Sequence, residues 1–144
     1  MQRGDDPNRN KSRDRLLRRI EAAFGGVRLG GGRSLHQVDA MDDYEEDDVV
    51  AKARELDTEV RWQDVSDDKL VRFAGALPFL DAEGFRFYFP RFMTFALRHP
   101  DSDSAAPDTA IYWSDMDARP GDQRRLLTEE QKAVIRAFAA FHAD

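Results

Sequence analysis

Apolar residues recur every three to four positions along most of the chain, which is the spacing that places side chains on one face of a helix. Six stretches show this spacing, and their apolar residues are Leu16, Leu17, Ile20, Ala23 and Phe24; Leu35, Val38 and Met41; Val49, Ala53, Leu56 and Val60; Leu70, Phe73, Ala74 and Leu77; Phe92, Met93, Ala96 and Leu97; and Val134, Ile135, Phe138 and Phe141. The pattern predicts a mainly helical protein.

Short polar motifs mark the ends of several of these helices. Residues 34–37 and residues 128–131 both fit a capping box, in which a hydroxyl and an amide satisfy free backbone N–H groups. Ser66 has the side chain of an N-cap. Gly25 and Pro78 are typical of helix ends, because glycine tolerates the turn there and the residue before proline resists helical angles.

The first eleven residues differ from the rest of the chain. They contain glycine, proline, two asparagines and mixed charges, a composition that predicts a disordered tail over residues 1–11. One globular domain is expected over residues 12–144, because a chain of 144 residues suits a single core. Ser12 or Asp14 is expected to cap the first helix.

An alternating pattern in the middle of the chain predicts strands. Residues 85–89 read Phe-Arg-Phe-Tyr-Phe, which is the period-two pattern of a half-buried strand. They follow Asp81 and Gly84, which suit a type I turn, and precede Pro90, which suits the start of a helix. Residues 109–113 are the expected antiparallel partner. The predicted fold class is α+β, mainly helical, with about five or six helices packed on a small antiparallel sheet of two or three strands.

The same region resembles a known family. Residues 79–93, FLDAEGFRFYFPRFM, resemble the central block of a family of small bacterial proteins classed as a domain of unknown function. Shorter similar pieces extend the resemblance over about residues 14–141, and they are Leu29-Gly30, Ser34-Leu35, Asp42-Asp43-Tyr44, Ala53-Arg54, Asp57, Trp62, Ile111-Tyr112, Leu126-Leu127-Thr128 and Gln131. The resemblance implies one intracellular bacterial domain. It implies no activity, no cofactor and no catalytic residue.

Composition narrows the classes of function. The net charge is −6 and 35% of the residues are charged, so binding to nucleic acid by neutralising phosphates is not expected. The chain has no cysteine, which excludes disulfides and thiolate metal sites. No apolar run approaches the ~20 residues of a membrane span, and the N-terminus lacks the apolar middle of a secretion signal. We expect a cytoplasmic protein that has no cofactor and no membrane partner.

Metal and phosphate sites are not predicted either. His36, His99 and His142 are far apart and show no metal-binding spacing. The acidic run at residues 42–48 lacks the glycine and the alternating oxygen ligands of a calcium loop. The glycines at residues 30–32 are interpreted as a flexible connector, because the strand and the Lys-Ser/Thr pair of a phosphate loop are both missing.

One group of side chains could support chemistry. This candidate polar cluster consists of Asp42, Asp43, Tyr44, Asp81, Glu83, Arg86 and Tyr88. On the predicted strand Arg86 and Tyr88 project to the same side, and a carboxylate beside an arginine suits ligand anchoring or a general base. A turn with an ion pair explains the same residues without chemistry, and no activated nucleophile is visible. We therefore assign no catalytic residue.

The distribution of charge favours an interaction instead. Between residues 39 and 68 carboxylates far outnumber the three basic side chains, and such an acidic surface steers association with a basic protein. The expected function is a non-catalytic protein-binding module, of the kind that acts as an antagonist or immunity partner of a toxin. The alternative is a small enzyme or ligand-binding protein with a polar pocket around Asp81, Glu83, Arg86 and Tyr88. The oligomeric state is not predicted.

Overall fold

The computed structural model describes residues 6–116 and 121–143, and over these ranges the fold is all-helical. The seven α-helices are α1 (Pro7–Phe24), α2 (Leu35–Asp42), α3 (Asp47–Ala53), α4 (Asp67–Arg72), α5 (Ala82–Arg98), α6 (Ala106–Trp113) and α7 (Glu129–Phe141). Four short 3₁₀ turns lie between them, at Arg54–Leu56, Trp62–Asp64, Leu77–Phe79 and Asp122–Arg124. No strand is found in the described ranges, so the predicted α+β class with its small sheet is wrong.

The predicted strand at residues 85–89 lies inside α5. This helix is enclosed by the rest of the fold, with 14 of its 17 residues buried. In residues 85–89 the polar Tyr88 is therefore buried like the three phenylalanines, and the alternation of Phe with Arg and Tyr there imitates a strand. Pro90, predicted to start a helix, is in the middle of α5, where its missing N–H removes one helical hydrogen bond.

The predicted second strand at residues 109–113 is also helical, because it forms the last part of α6. Helix α6 has only eight residues, and periodicity cannot distinguish a strand from so short a buried helix. Pro107 lies in its first turn, where a missing N–H costs nothing because that group has no helical partner.

Several helix ends lie where the sequence predicts them. The capping boxes at residues 34–37 and 128–131 are both formed, at the N-termini of α2 and α7. Ser66 caps α4, and its side chain accepts a hydrogen bond from a backbone N–H. Helix α1 ends at Phe24, immediately before Gly25. These predictions succeed because each depends on bonds between residues close in sequence.

The start of α1 differs from the prediction. Asp6 caps this helix, in place of Ser12 or Asp14. Residues 7–11 of the predicted tail form its first turns, and residues 1–5 lie outside the described residues. The apolar face of α1 begins only in its third turn, which is why the sequence pattern places the start of the helix too late.

Helix α5 is at the centre of the fold. It contacts α1, α4 and α6 and the 3₁₀ turns at Trp62–Asp64 and Asp122–Arg124, while α7 packs on α1 and α3 packs on α2. All five phenylalanines of α5 are buried and belong to the main hydrophobic core. None of the helices in the described ranges combines the length and the hydropathy needed to cross a bilayer.

Candidate functional site

The seven residues of the predicted polar cluster do not form one site. Within α5, residues 86 and 88 are separated by about 200° around the helix axis, so Arg86 and Tyr88 face in nearly opposite directions. Tyr88 is 1% exposed, whereas Arg86 lines a cleft at the surface. Burial raises the pKa of Tyr88, so its hydroxyl keeps its proton and is a poor acid at neutral pH.

The two carboxylates predicted beside them have structural partners. Oδ1 of Asp81 accepts hydrogen bonds from the N–H of Gly84 at 2.9 Å and from the N–H of Arg33 at 3.0 Å. Glu83 lies 3.4 Å from a guanidinium nitrogen of Arg125. Asp81 is therefore the N-cap of α5 rather than the first residue of a turn, and it fixes the chain before α2 to the start of α5.

Glycine is required where the segment before α2 meets the start of α5. A Cβ on Gly84 would lie 2.7 Å from the carbonyl oxygen of Arg33, and a Cβ on Gly32 would lie 2.6 Å from Cβ of Glu83. Both distances are shorter than ordinary contacts between heavy atoms. Gly84 is thus needed for close packing and not, as the sequence suggested, for a turn.

A polar network that the sequence did not predict is centred on Asp57. This residue is 5% exposed, and its carboxylate accepts from the backbone N–H and from Nδ1 of His36, both at 2.8 Å. Nζ of Lys69 donates to Asp57 at 2.8 Å and to Glu59 at 2.6 Å. Because a carboxylate only accepts, Nδ1 of His36 carries the proton. His36 therefore belongs to this partly buried network.

The hydrogen bonds of the network keep it charged. Burial acts to raise the pKa of Asp57, but its hydrogen bonds, that from Lys69 first, outweigh burial and hold the pKa below its ordinary value. Burial acts to lower the pKa of Lys69, and the bonds to Asp57 and Glu59 raise it above its ordinary value. The ammonium group lies between the two carboxylates, and no group of three or more His, Asp or Glu in the described ranges is arranged to hold a metal ion. We interpret the network as a structural link between α2 and α4.

The C-terminus of α2 carries an exposed tyrosine in an unusual backbone position. The N–H of Tyr44 bonds to the carbonyl of Met41 and the N–H of Glu45 to that of Ala40, which together form a Schellman motif. Tyr44 has a φ of 56°, a left-handed position that glycine usually takes because a side chain there costs about 1 kcal/mol. Tyr44 is also 95% exposed, so packing of its ring does not offset this cost.

Tyr44 borders a groove between α2 and the 3₁₀ turn that precedes α5. The groove consists of two hollows of about 180 and 420 Å³, which share Val38, Asp42 and Phe79, and we name it the Phe79 groove. The side chains of Phe79 and Met41 are 55% and 39% exposed. Exposed aromatic and Met side chains beside a hollow are typical of surfaces that bind proteins.

Carboxylates border one side of the Phe79 groove. Residues 39–48 include seven Asp and Glu residues, all exposed, and none forms an ion pair with another residue of the described ranges. Asp47 and Asp48 lie in the first turn of α3, where the helix dipole favours them. Among the described residues that line the groove, Asp39 and Asp42 are acidic and Arg33 and Arg72 are basic. The other five carboxylates of residues 39–48 follow Asp42 along the chain and make this border of the groove acidic.

Comparison with known proteins identifies a family without a known activity. Residues 12–144 match the model of a family of unknown function, DUF6714. No curated protein and no solved structure gives a significant match to the chain. The family match confirms that the resemblance read from the sequence is to an uncharacterised domain family, and it assigns no role to any residue. The chain belongs to DUF6714, a family whose function is not known.

Proposed function

We propose that this protein is a non-catalytic protein-binding module whose Phe79 groove, with its acidic border, receives a basic partner. The proposal depends mainly on the conformation and exposure of Tyr44. Its left-handed backbone has a cost that glycine would avoid, and its ring gains almost nothing from the fold. A residue that costs stability without packing is typical of a functional position. The ring of Tyr44 and the neighbouring ring of Phe79 are suited to anchor a partner, because buried aromatic side chains supply much of the energy of protein interfaces.

The charge of the surface indicates the chemistry of the partner. The exposed carboxylates of residues 39–48 have no ion pairs to lose within the described ranges, so a Lys- or Arg-rich segment would pair with them without breaking existing contacts. Such complementarity raises the association rate and makes it sensitive to salt. A cytoplasmic antagonist or immunity partner of a basic toxin is the kind of protein that this surface fits.

The test uses variants that separate binding from folding. Tyr44→Gly removes the ring and suits the backbone, so we expect an unfolding temperature equal to or above that of the wild type but at least about tenfold weaker binding. Phe79→Ser is expected to weaken binding similarly. Tyr112→Ser, which removes an exposed ring from α6, is the matched control. Each immobilised protein is incubated with a lysate of the source cells, and bound proteins are identified by mass spectrometry.

A captured protein supports the proposal only if it meets three conditions. It is lost from the Tyr44→Gly and Phe79→Ser variants, it is retained by Tyr112→Ser, and in purified form its association slows as salt increases. The proposal is contradicted if every captured protein binds all variants equally, or if the protein lost from the two groove variants has an acidic contact surface.

A further inference from the structure

We propose a second binding site, for a small oxyanion such as a phosphate or carboxylate group, in the cleft beside Arg86. The cleft has a volume of about 520 Å³ and is bounded by residues 22–31, at and after the end of α1, and by Glu83 and Arg86 of α5. It shares no lining residue with the Phe79 groove. The proposal is therefore independent of the protein-binding function and can fail or succeed separately.

Arg86 has an unused capacity to bind an anion. Its Nε is buried and has no acceptor among the described residues. No carboxylate of the described ranges lies within 4 Å of its guanidinium, and Glu83, one turn earlier, pairs with Arg125 instead. A partly buried cation without a partner is unfavourable, so an anion bound in the cleft would stabilise the charge of this guanidinium.

The end of α1 does not provide the missing acceptor. Arginines near the C-terminus of a helix commonly bond to its last carbonyl oxygens. Here the carbonyl of Ala23 accepts from Nε2 of Gln131, and the carbonyl of Phe24 accepts from Nε1 of Trp62, both at 2.9 Å. Since neutral donors occupy these carbonyls, Arg86 is not needed to cap the helix.

The walls of the cleft suit an oxyanion. A Cβ on Gly26, Gly30 or Gly31 would meet no atom within 4 Å, so the backbone borders open space at all three positions. A ligand could therefore approach the backbone closely at these three positions. Arg28 lines the same cleft, and a guanidinium matches two oxygens of a phosphate or carboxylate group. Arg86 belongs to α5 and lies outside the glycine segment, so the site is unlike the phosphate loop considered from sequence.

Titration of the ¹⁵N-labelled full chain tests this site. Inorganic phosphate and acetate are added in separate titrations at constant ionic strength, and the amide shifts of Gly26, Gly30 and Gly31 are followed. We expect saturable shifts, and the tighter of the two anions identifies the phosphate or carboxylate class. Arg86→Gln should weaken binding about tenfold or more. Arg136→Gln, which removes an exposed charge from α7, should leave the affinity unchanged.

Three results would overturn the proposal. They are the absence of saturable shifts with both anions, equal affinity in Arg86→Gln and the wild type, and equal weakening by Arg136→Gln. If Arg86→Gln does not fold, as judged by thermal unfolding, Arg86→Lys replaces it. This variant keeps the charge but loses the planar fork, so weaker binding is expected and unchanged affinity contradicts the proposal.

Discussion

Helix α5 and the acidic segment from α2 to α3 place their side chains in opposite environments. Helix α5 buries 14 of its 17 residues, and its Arg91 donates to the carbonyl of Val65 and pairs with Asp67. Helix α3 buries none of its seven residues, and Tyr44 just before it is almost fully exposed. Substitutions in α5 should therefore change stability, whereas substitutions in the acidic segment should change binding and leave the fold intact.

The largest effect is expected from Phe89→Ala. Phe89 is fully buried and stacks on Phe85 with ring centroids 4.7 Å apart, so truncation leaves a cavity and should cost about 3–5 kcal/mol of unfolding free energy. The same change at Phe79, which is 55% exposed, should cost less than about 1 kcal/mol. Urea unfolding measures both changes in unfolding free energy. Similar losses in the two variants would contradict the claim that α5 determines stability and the exposed surface does not.

A slightly smaller effect is expected from Gly84→Val at the start of α5. The new Cβ would lie 2.7 Å from the carbonyl oxygen of Arg33, and forcing the backbone apart should cost about 2–3 kcal/mol. Gly75→Val is the control, because a Cβ there meets no atom within 4 Å. Thermal unfolding compares the two, and an unchanged midpoint in the Gly84 variant would show that close packing does not require glycine.

The smallest of the three effects is expected from Asp57→Asn. Removing one partner of a buried ion pair typically costs ~3–5 kcal/mol, but Lys69 keeps its contact with Glu59, so we expect about 2 kcal/mol at pH 7. Asp68→Asn, at an exposed carboxylate with no ion pair in the described ranges, should change stability by less than about 0.5 kcal/mol. Chemical unfolding at pH 7 measures both losses.

The cost of Asp57→Asn should depend on pH. The pKa of Asp57 is lowered in the folded state. Its contribution to the free energy of unfolding is therefore fully present above the pKa of the unfolded chain, about 4, and is lost as the pH falls through the pKa of the folded state. The stability difference between wild type and variant should therefore shrink as the pH falls below about 5. A difference that grows in acid would refute this assignment.

The candidate sites could be predicted only in part. The acidic run at residues 42–48 is visible in the sequence, but the left-handed backbone of Tyr44 and the exposure of Phe79 are not. The network of His36, Asp57 and Lys69 leaves no periodic or local pattern in the sequence, because these residues lie 21 and 12 positions apart. Arg86 was assigned to the candidate polar cluster on the wrong geometry. A strand would place it on the same side as Tyr88, whereas a helix places the two side chains in nearly opposite directions.

Features that depend on near neighbours can be read from the amino-acid order alone. Ser34, Ser66 and Thr128 each cap a helix because a side chain bonds to a backbone N–H three residues later. The enclosure of α5 and the meeting of Gly32 with Gly84 depend instead on the packing of the whole fold. A helix surrounded by other elements loses the one-sided pattern that reveals it, and contacts between distant residues form only when the whole chain is folded.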